Sequence, residues 1–235
     1  MTDIYSVSDF PLPPGATLDR FSIKQDASAN KLTVSATVWL QSVYELHNPA
    51  EDTFAKQPGG KKYTVGLAVP KTATGFLSQL KKAADAMMLA DGVKGAYPHA
   101  IKDGAAQDGN GLYVKAGGRL QEWAYWSAKS KRPPIVTRKE GDHVIEVPVT
   151  EAIGGTWAIV LFDLIPIAYG GQAGGGKRGT SAWISRLHLL GGGKPIQGGG
   201  RSDDTDFMSM VSDSPASAAG GSVAAAGGGT VEALF

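Results

Sequence analysis

The sequence contains no cysteine, and this absence excludes disulfide bonds, thiolate metal sites and cysteine nucleophiles. Long apolar runs are missing as well. The most apolar stretch, from Trp157 to Ile167, is interrupted by Asp163 and Pro166 and is too short to span a bilayer. The opening residues, MTDIYSVSDF, have neither a basic nor an apolar region, so we expect no secretory signal. These absences predict a soluble, intracellular protein and permit a reducing compartment.

Recognisable catalytic and metal-binding sets are also missing. The acidic residues do not form the paired carboxylates that metal-assisted nucleases need. The stretch from Gly171 to Lys177 approaches a phosphate-loop pattern, but Arg178 stands where a Ser or Thr should bind Mg²⁺, and a strand rather than a helix is predicted to follow. We therefore expect a protein that is not an enzyme and uses no cofactor or metal. No ligand spacing connects the histidines, which are His47, His99, His143 and His188.

Positive charge is absent from the C-terminal region. No Lys or Arg follows Arg201. The whole chain has 23 basic and 22 acidic residues, so residues 1–201 keep all 23 basic but only 17 acidic residues, which is a net charge of +6. A basic body with an acidic tail is a recurring arrangement in nucleic-acid-binding proteins. The five acids of the tail are Asp203, Asp204, Asp206, Asp213 and Glu232.

The composition changes near Gly191. Glycine triplets at 191–193 and 198–200 and the Ala/Gly run at 224–229 leave almost nothing to bury. Such a segment cannot offset its ordering entropy. We predict a folded domain over residues 1–191 and a disordered, Gly/Ala/Ser-rich acidic tail over residues 192–235, ending in Phe235.

Alternating apolar residues predict a strand-rich domain. The clearest strand runs from Leu32 to Leu40, and others are predicted at 63–69, 123–128, 144–149, 156–165 and 182–190. One segment with helical spacing, from Phe76 to Met88, predicts a single substantial helix with Gly92 at its end. The predicted fold class is mainly β, an OB-fold-like barrel with one substantial α-helix, although other small barrels would suit the same pattern.

Cations and aromatic rings are interleaved between residues 115 and 139, where Glu122 is the single acid. Single-strand-binding proteins use cations that follow the phosphates and flat rings on which bases stack, each stacked base contributing roughly 1–3 kcal/mol. The alternative is that the rings belong to the core and the lysines solvate a loop. The DNA contacts predicted here are Lys115, Arg119, Trp123, Tyr125, Trp126, Lys129, Lys131, Arg132, Arg138 and Lys139.

Further DNA contacts are predicted outside that segment. Trp39 falls on the polar face of its strand, so its ring is either covered by another element or open to a ligand. The glycine-rich loop ends in Lys177 and Arg178, which we expect to lie along a DNA backbone, the alternative being an ordinary solvated turn.

Five local strings, in order, resemble bacteriophage single-stranded-DNA-binding proteins. Residues 63–71 (YTVGLAVPK) resemble that family's Y-x-V-x-L-x-x-P-K element before a helix, and residues 99–104 (HAIKDG) resemble its K-D-G step. Residues 126–136 (WSAKSKRPPIV) resemble its A-K-S-x-R-P-P-V-V stretch. Residues 155–169 and 179–190 are similar to the two strands that flank its glycine-rich hairpin.

The resemblance implies an OB-fold with extra elements and single-stranded-DNA binding during phage replication or recombination, in the cytoplasm of an infected bacterial host. The implied DNA-facing region falls on Lys129, Lys131, Arg132 and the hairpin around Tyr169, Lys177 and Arg178. It also implies a tail that recruits replication proteins. The tail departs from the family pattern, because its acids cluster at 203–213 and only Glu232 lies near the end. The predicted partner-binding residues are Asp203, Asp204, Asp206, Glu232, Leu234 and Phe235.

The leading hypothesis is therefore a protein that coats single-stranded DNA without regard to sequence, with an acidic tail that recruits partners or competes with DNA for the basic groove. One alternative is a strand-rich phage structural or decoration protein, which would assemble without DNA. Another is a strand-annealing recombination mediator with the same binding chemistry. RNA binding and a homo-oligomer stay open, and no membrane partner is expected.

Overall fold

The computed structural model describes residues 4–52, 60–106, 119–169 and 177–196. The chain divides into two units, Met1–Gly198 and Gly199–Phe235, and all the described residues belong to the first. Strands dominate this unit. Within the described ranges, no helix is long and apolar enough to cross a membrane.

The strands are β1 (Ser22–Asp26), β2 (Lys31–Ser42), β3 (Ala50–Glu51), β4 (Lys61–Pro70), β5 (Lys102–Asp103), β6 (Trp123–Ser130), β7 (Ile135–Glu140), β8 (His143–Val147), β9 (Trp157–Tyr169) and β10 (Lys177–Gly191). The helices are the short α1 (Tyr44–His47) and the long α2 (Thr74–Ala90). Single 3-10 turns lie at Val7–Asp9 and Val149–Glu151.

Five of these strands close into a ring. β6 pairs with β4, β4 with β2, β2 with β9, and β9 with β10, all antiparallel. β10 then returns to β6 as a parallel neighbour, with Ala182 opposite Ala128 and Trp183 opposite Lys129. The remaining strands extend the ring, β1 on β2, β3 on β4, β5 on β6, and β7 with β8 on β10. This ring, with one long helix, confirms the predicted mainly β, OB-fold-like barrel.

The interior of the ring is filled by alternate residues of its strands. Leu32, Val34, Ala36, Val38 and Leu40 of β2 all belong to one buried apolar core, as the period-two pattern predicts. Helix α2 adds the side chains that recur at helical spacing to the same core. Those residues are Phe76, Leu80, Ala84, Met87 and Met88, each at most 2% exposed.

Helix α2 ends where the sequence predicts. Gly92 has a φ of +81°, a left-handed conformation that glycine adopts without steric cost. The N–H of Gly92 donates to the carbonyl of Leu89, and the N–H of Val93 donates to the carbonyl of Met88, at 3.0 Å in both cases. This pair of bonds is a Schellman motif, which satisfies the last carbonyl groups of the helix.

A second apolar cluster lies on the outer face of the ring. Trp39, Trp123 and Trp157 come from β2, β6 and β9, and the Trp39 and Trp123 rings stack with centroids 4.6 Å apart. Residues 4–18 are here called the N-terminal segment, which packs on this cluster through Tyr5, Val7, Phe10, Leu12 and Leu18. The indole Nε1 of Trp123 donates to the carbonyl of Tyr5 at 2.6 Å, and that of Trp157 donates to the carbonyl of Phe10 at 3.1 Å. The segment is thereby fixed to the ring by both packing and hydrogen bonds.

The described chain continues past β10 along the body of the unit. The N–H of Lys194 donates to the carbonyl of Gly155 at 3.1 Å, and the N–H of Ile196 donates to the carbonyl of Gly154 at 2.8 Å. Ile196 also packs against the outer-face cluster. These contacts extend the body at least to Ile196, whereas the domain boundary at Gly191 stays a prediction.

Replacing Phe10 by alanine should lower the free energy of unfolding by about 3 kcal/mol, because Phe10 is only 5% exposed and its loss leaves a cavity against Trp39. Urea unfolding followed by tryptophan fluorescence measures the change. Ile4→Ala, at an apolar side chain of the same segment that is 52% exposed, is the control and should cost less than about 0.5 kcal/mol. Equal midpoints for the two variants would show that the segment adds nothing to the fold.

Candidate nucleic-acid interface

One row of outward-facing residues crosses all five strands of the ring. The registers place Thr33 opposite Asp163, Asp163 opposite Trp183, Trp183 opposite Lys129, and Lys129 opposite Thr64. Directly paired residues project on the same face of a sheet. The neighbours of this row along each strand fill the interior, so the row itself lies on the outside of the ring. It is polar apart from a single indole.

Trp183 is the tryptophan with an open surface. The other four, Trp39, Trp123, Trp126 and Trp157, are at most 1% exposed, whereas Trp183 is half-buried. Its Nε1 has no hydrogen-bond partner among the described residues. The Nε1 atoms of the buried Trp39 and Trp126 also have no partner there, so the exposed part of the ring, and not this atom, distinguishes Trp183. Trp183 is therefore the ring best placed to meet a ligand on this face.

The sequence interpretation missed Trp183, although a signal for it was present. Ala182 and Ile184 are buried in the core, so the alternation of β10 directs the residue between them outward. The same argument drew attention to Trp39. The difference between the two rings lies in what covers them.

Lys131 and Arg132 are exposed in the short connection between β6 and β7, and both of those strands run parallel to β10. The connection continues with Pro133 and Pro134, which have no N–H to donate to a neighbouring strand. The ladder along β10 is therefore interrupted at this level. The interruption explains why two cations stand side by side at the surface instead of alternating between the two faces of a strand.

Arg186 joins the same face from β10. Arg186 is paired with Leu161 of β9, and Trp183 is paired with Asp163 of the same strand. Leu161 and Asp163 are two positions apart, so they project on the same face. A bulge in β10 just before Arg186 keeps it on the outward face. Its side chain is exposed.

These residues form a patch of positive charge. The nearest acid in the row, Asp163, accepts hydrogen bonds from Lys31 Nζ at 2.9 Å and from Thr33 Oγ1 at 2.7 Å, so Lys31 already neutralises it. Across the described ranges, none of the four cations in the patch has an ion pair or a side-chain hydrogen bond. We call the patch the cationic surface, and it consists of Lys129, Lys131, Arg132, Trp183 and Arg186.

The three tryptophans predicted to stack on bases are inaccessible. Trp39 and Trp123 face outward but lie beneath the N-terminal segment, and both are 0% exposed. Trp126, opposite Leu67, faces the interior of the ring and is 1% exposed. A base needs an open ring face to stack on. The three rings are therefore closed to a base in this structure, and of the two alternatives for Trp39 the covered one is found.

Three of the predicted arginines contact other groups of the protein. Arg119 lies just before β6 and over an aromatic ring of the N-terminal segment. Lys129 is at the other end of β6. The contacts are Arg119 over the Tyr5 ring at 5.9 Å, Arg138 Nη1 to Glu151 Oε2 at 2.6 Å, and Arg178 Nη2 to Asp91 Oδ2 at 3.0 Å.

Two other predicted contacts are placed but lie outside the patch. Tyr125 is half-buried on the outer face of β6 against the aromatic cluster, and burial raises the pKa of its hydroxyl. Lys139 is exposed near the end of β7. Neither Tyr125 nor Lys139 is paired with a residue of the cationic surface in the strand registers. Their contact with DNA therefore stays a prediction.

The rest of the predicted site cannot be placed. Tyr169, at the end of β9, is paired with Lys177, at the start of β10, and the structure describes only the backbone of these two residues. The contacts predicted there stay predictions. Also outside the described residues are Lys115 and the tail residues Asp203, Asp204, Asp206, Glu232, Leu234 and Phe235.

His47, His99 and His188 form hydrogen bonds within the fold. His47 Nε2 lies 2.9 Å from the carbonyl of Ala152, and His188 Nδ1 lies 3.0 Å from the hydroxyl of Thr137. Burial lowers the pKa of His99. In the ranges that the structure describes, no three His, Asp or Glu side chains lie together as a metal site would require.

No protein-family model and no curated protein matches the sequence. Solved structures match in fold. The single-stranded DNA-binding protein from bacteriophage Enc34 in complex with ssDNA has a TM-score of 0.50 and 19% identity, covering 79% of this chain and 98% of that chain. A C-terminal truncation of the same protein has a TM-score of 0.50 and 17% identity, covering 79% and 97%. The single-stranded DNA-binding protein gp2.5 of bacteriophage T7 has a TM-score of 0.41 and 15% identity, covering 87% and 100%. The two matches with a TM-score of 0.50 confirm, at the level of the fold, the predicted resemblance to phage single-stranded-DNA-binding proteins.

Trp183→Phe should remove most of the tryptophan fluorescence that acrylamide quenches, because the other four indoles are at most 1% exposed. Stern–Volmer slopes of the natural protein and the variant measure the effect. The control is Trp126→Phe, which removes an interior ring and should leave the quenchable fraction in place. Identical slopes for the natural protein and Trp183→Phe would mean that Trp183 has no open face.

Proposed function

We propose that this protein binds single-stranded DNA without sequence preference, with phosphates along the cationic surface and a base against Trp183. The observation that carries the proposal is the juxtaposition of a half-buried indole with four cations that have no acidic partner within the described residues. Cations that follow phosphates and a ring that accepts any base are the two components of sequence-independent single-strand binding. A protein of the same fold is known in complex with ssDNA, which supports the same class of ligand.

The chemistry of the cationic surface favours coating over sequence recognition. Phosphate contacts carry no sequence information, and a stacked ring accepts every base because every base has a π-face. Neither contact detects a 2′-hydroxyl, so single-stranded RNA is a second ligand to be compared directly. Titration of dT, rU and duplex oligonucleotides against the same protein separates these cases.

The biological role that follows is protection of single-stranded DNA during phage replication or recombination, without catalysis. The tail belongs to this proposal on charge grounds, since every charged residue after Arg201 is acidic. We propose that its acids, with Leu234 and Phe235, recruit replication proteins. The same acids would weaken DNA binding by competing for the cationic surface at low salt.

The triple variant Lys129→Ala, Lys131→Ala and Arg132→Ala should bind oligo-dT more weakly and with a shallower salt dependence. Each phosphate contact on a single strand contributes about 0.7 to the slope of log affinity against log salt, so losing three contacts should reduce the slope by about 2. Fluorescence anisotropy of a labelled oligonucleotide between about 50 and 200 mM salt measures it.

The matched control removes the same positive charge elsewhere, at three exposed cations outside the cationic surface: Arg20→Ala, Lys82→Ala and Lys194→Ala. It should leave the slope nearly unchanged. If the two triple variants lose affinity and slope equally, only net charge matters and the proposed surface is incorrect.

Neutralising the tail acids as Asp203→Asn, Asp204→Asn and Asp206→Asn should tighten oligo-dT binding at low salt and have little effect at physiological salt. The Debye length falls from about 30 Å at 0.01 M to about 8 Å at 0.15 M, so charges held only by a tether act mainly in dilute salt. The control, with the same change of net charge at exposed acids of the body, is Asp9→Asn, Asp19→Asn and Asp142→Asn. An equal gain in both variants would exclude a specific role for the tail.

A further inference from the structure

A groove of about 940 Å³ runs along one side of α2. Its volume lies within the range of ligand-binding clefts. Leucines of α2 form one wall, and the segment that follows the helix forms the other. Leu89, at the edge of the groove, is 62% exposed, which is unusual for so large an apolar side chain. The apolar lining residues are Leu77, Leu80, Leu89, Val93, Tyr97 and Ile101.

The acidic residues in the groove are already neutralised. Asp85 accepts a hydrogen bond from the Tyr97 hydroxyl at 2.8 Å and pairs with Lys81 at 2.5 Å. Burial, together with this bond to Asp85, raises the pKa of Tyr97, so the hydroxyl stays protonated. Asp103 is paired with Lys71. Neither carboxylate is therefore available to a positively charged ligand.

Two cations of the groove have no partner. Lys94 and Lys102 line it from the segment after α2 and from β5, and both are exposed. Across the described part of the chain, neither has an ion pair or a side-chain hydrogen bond. The pairs Lys81–Asp85 and Lys71–Asp103 cancel in charge, so Lys94 and Lys102 leave the groove with a net charge of +2. This charge lies along an apolar floor. Its complement is a ligand that is apolar on one side and negatively charged on the other.

We propose that this groove binds a short acidic amphipathic helix of a partner protein, with Leu and Phe side chains in the groove and carboxylates towards Lys94 and Lys102. An apolar groove accepts such a helix through anchors at i, i+3, i+4 and i+7. At 1.5 Å per residue, Leu77 and Leu89 are separated by about 18 Å along α2, which is room for roughly three helical turns of a ligand. The proposal goes beyond DNA binding and does not depend on it.

A nucleic acid fits this groove less well than a peptide. The walls are mainly aliphatic, and the hydroxyl of the one tyrosine is held by Asp85. Single-strand binding needs aromatic faces on which bases stack. The carboxylates of Asp85 and Asp103 offset half of the lysine charge in the groove.

The test uses the full-length protein and a fluorescein-labelled twelve-residue peptide, Glu-Leu-Asp-Glu-Leu-Phe-Asp-Glu-Leu-Leu-Glu-Asp. Its apolar residues recur at helical spacing, and its other residues are acidic. Fluorescence anisotropy measures binding. The same peptide with every acid replaced by Lys is the charge control, and we expect it to bind at least about tenfold more weakly.

The protein variants separate the apolar and electrostatic parts of the groove. Leu89→Asp should weaken peptide binding about tenfold, because it replaces an exposed apolar contact of the groove with a negative charge. Lys94→Glu with Lys102→Glu should weaken it most at low salt. The matched controls are Val144→Asp, at another exposed apolar residue, and Lys82→Glu with Lys194→Glu, at two exposed lysines outside the groove, and both should stay close to the natural protein.

Oligo-dT affinity provides the second measurement, since Leu89→Asp should leave it unchanged if groove and cationic surface are separate. The proposal is overturned if the acidic peptide does not bind, if the lysine peptide binds equally well, or if the groove variants behave like their controls. A loss of oligo-dT affinity in Leu89→Asp would overturn it in favour of a nucleic-acid occupant. Failure of DNA binding in the natural protein would leave this inference intact and affect only the proposed function.

Discussion

The short parallel contact between β6 and β10 is the constraint on which the rest of the structure depends. Two residue pairs, Ala182 with Ala128 and Trp183 with Lys129, convert a sheet into a ring. Closure separates the residues of each strand into an inner set, which must be apolar, and an outer set, which is free to be polar. It also brings β10 beside a strand that is distant in sequence. Without that contact, Trp183 and Lys129 would lie on strands that three others separate in an open sheet.

The outer face of the ring has one part that the N-terminal segment covers and one part that it leaves open. Where the strands present tryptophans, the N-terminal segment covers them, and two of the three indoles donate to its backbone carbonyls. Where the strands present Thr33, Lys129 and Thr64, nothing in the described chain covers them in the same way. The covered part contributes to stability through buried aromatic area. The open part keeps its charge in water, at little cost in desolvation, and is therefore the part suited to a charged ligand.

The cationic surface and the groove beside α2 use different chemistry. The surface combines unpaired cations with one ring, whereas the groove combines leucines with lysines that are half neutralised. They also draw on different elements, β6 and β10 for one, and α2 with the segment after it for the other. The two proposed ligands, a nucleic acid and a partner protein, therefore do not compete for the same residues.

Local patterns in the sequence determined much of the fold. The alternation from Leu32 to Leu40, the helical spacing from Phe76 to Met88 and the glycine at position 92 each depend on interactions between near neighbours, and each is found as predicted. The cations Lys131 and Arg132 were predicted for a different reason, as part of the run of cations interleaved with aromatic rings between residues 115 and 139.

Only the tertiary structure decided which aromatic rings are open. Alternation shows that Trp39 and Trp183 both point away from the barrel interior, but it cannot show that residues distant in the chain cover the first and leave the second half-buried. Arg119, Arg138 and Arg178 likewise look free in the sequence, because Tyr5, Glu151 and Asp91 lie far from them or on other elements. Burial and ion pairing are set by contacts between distant segments, and those contacts exist only once the ring has closed.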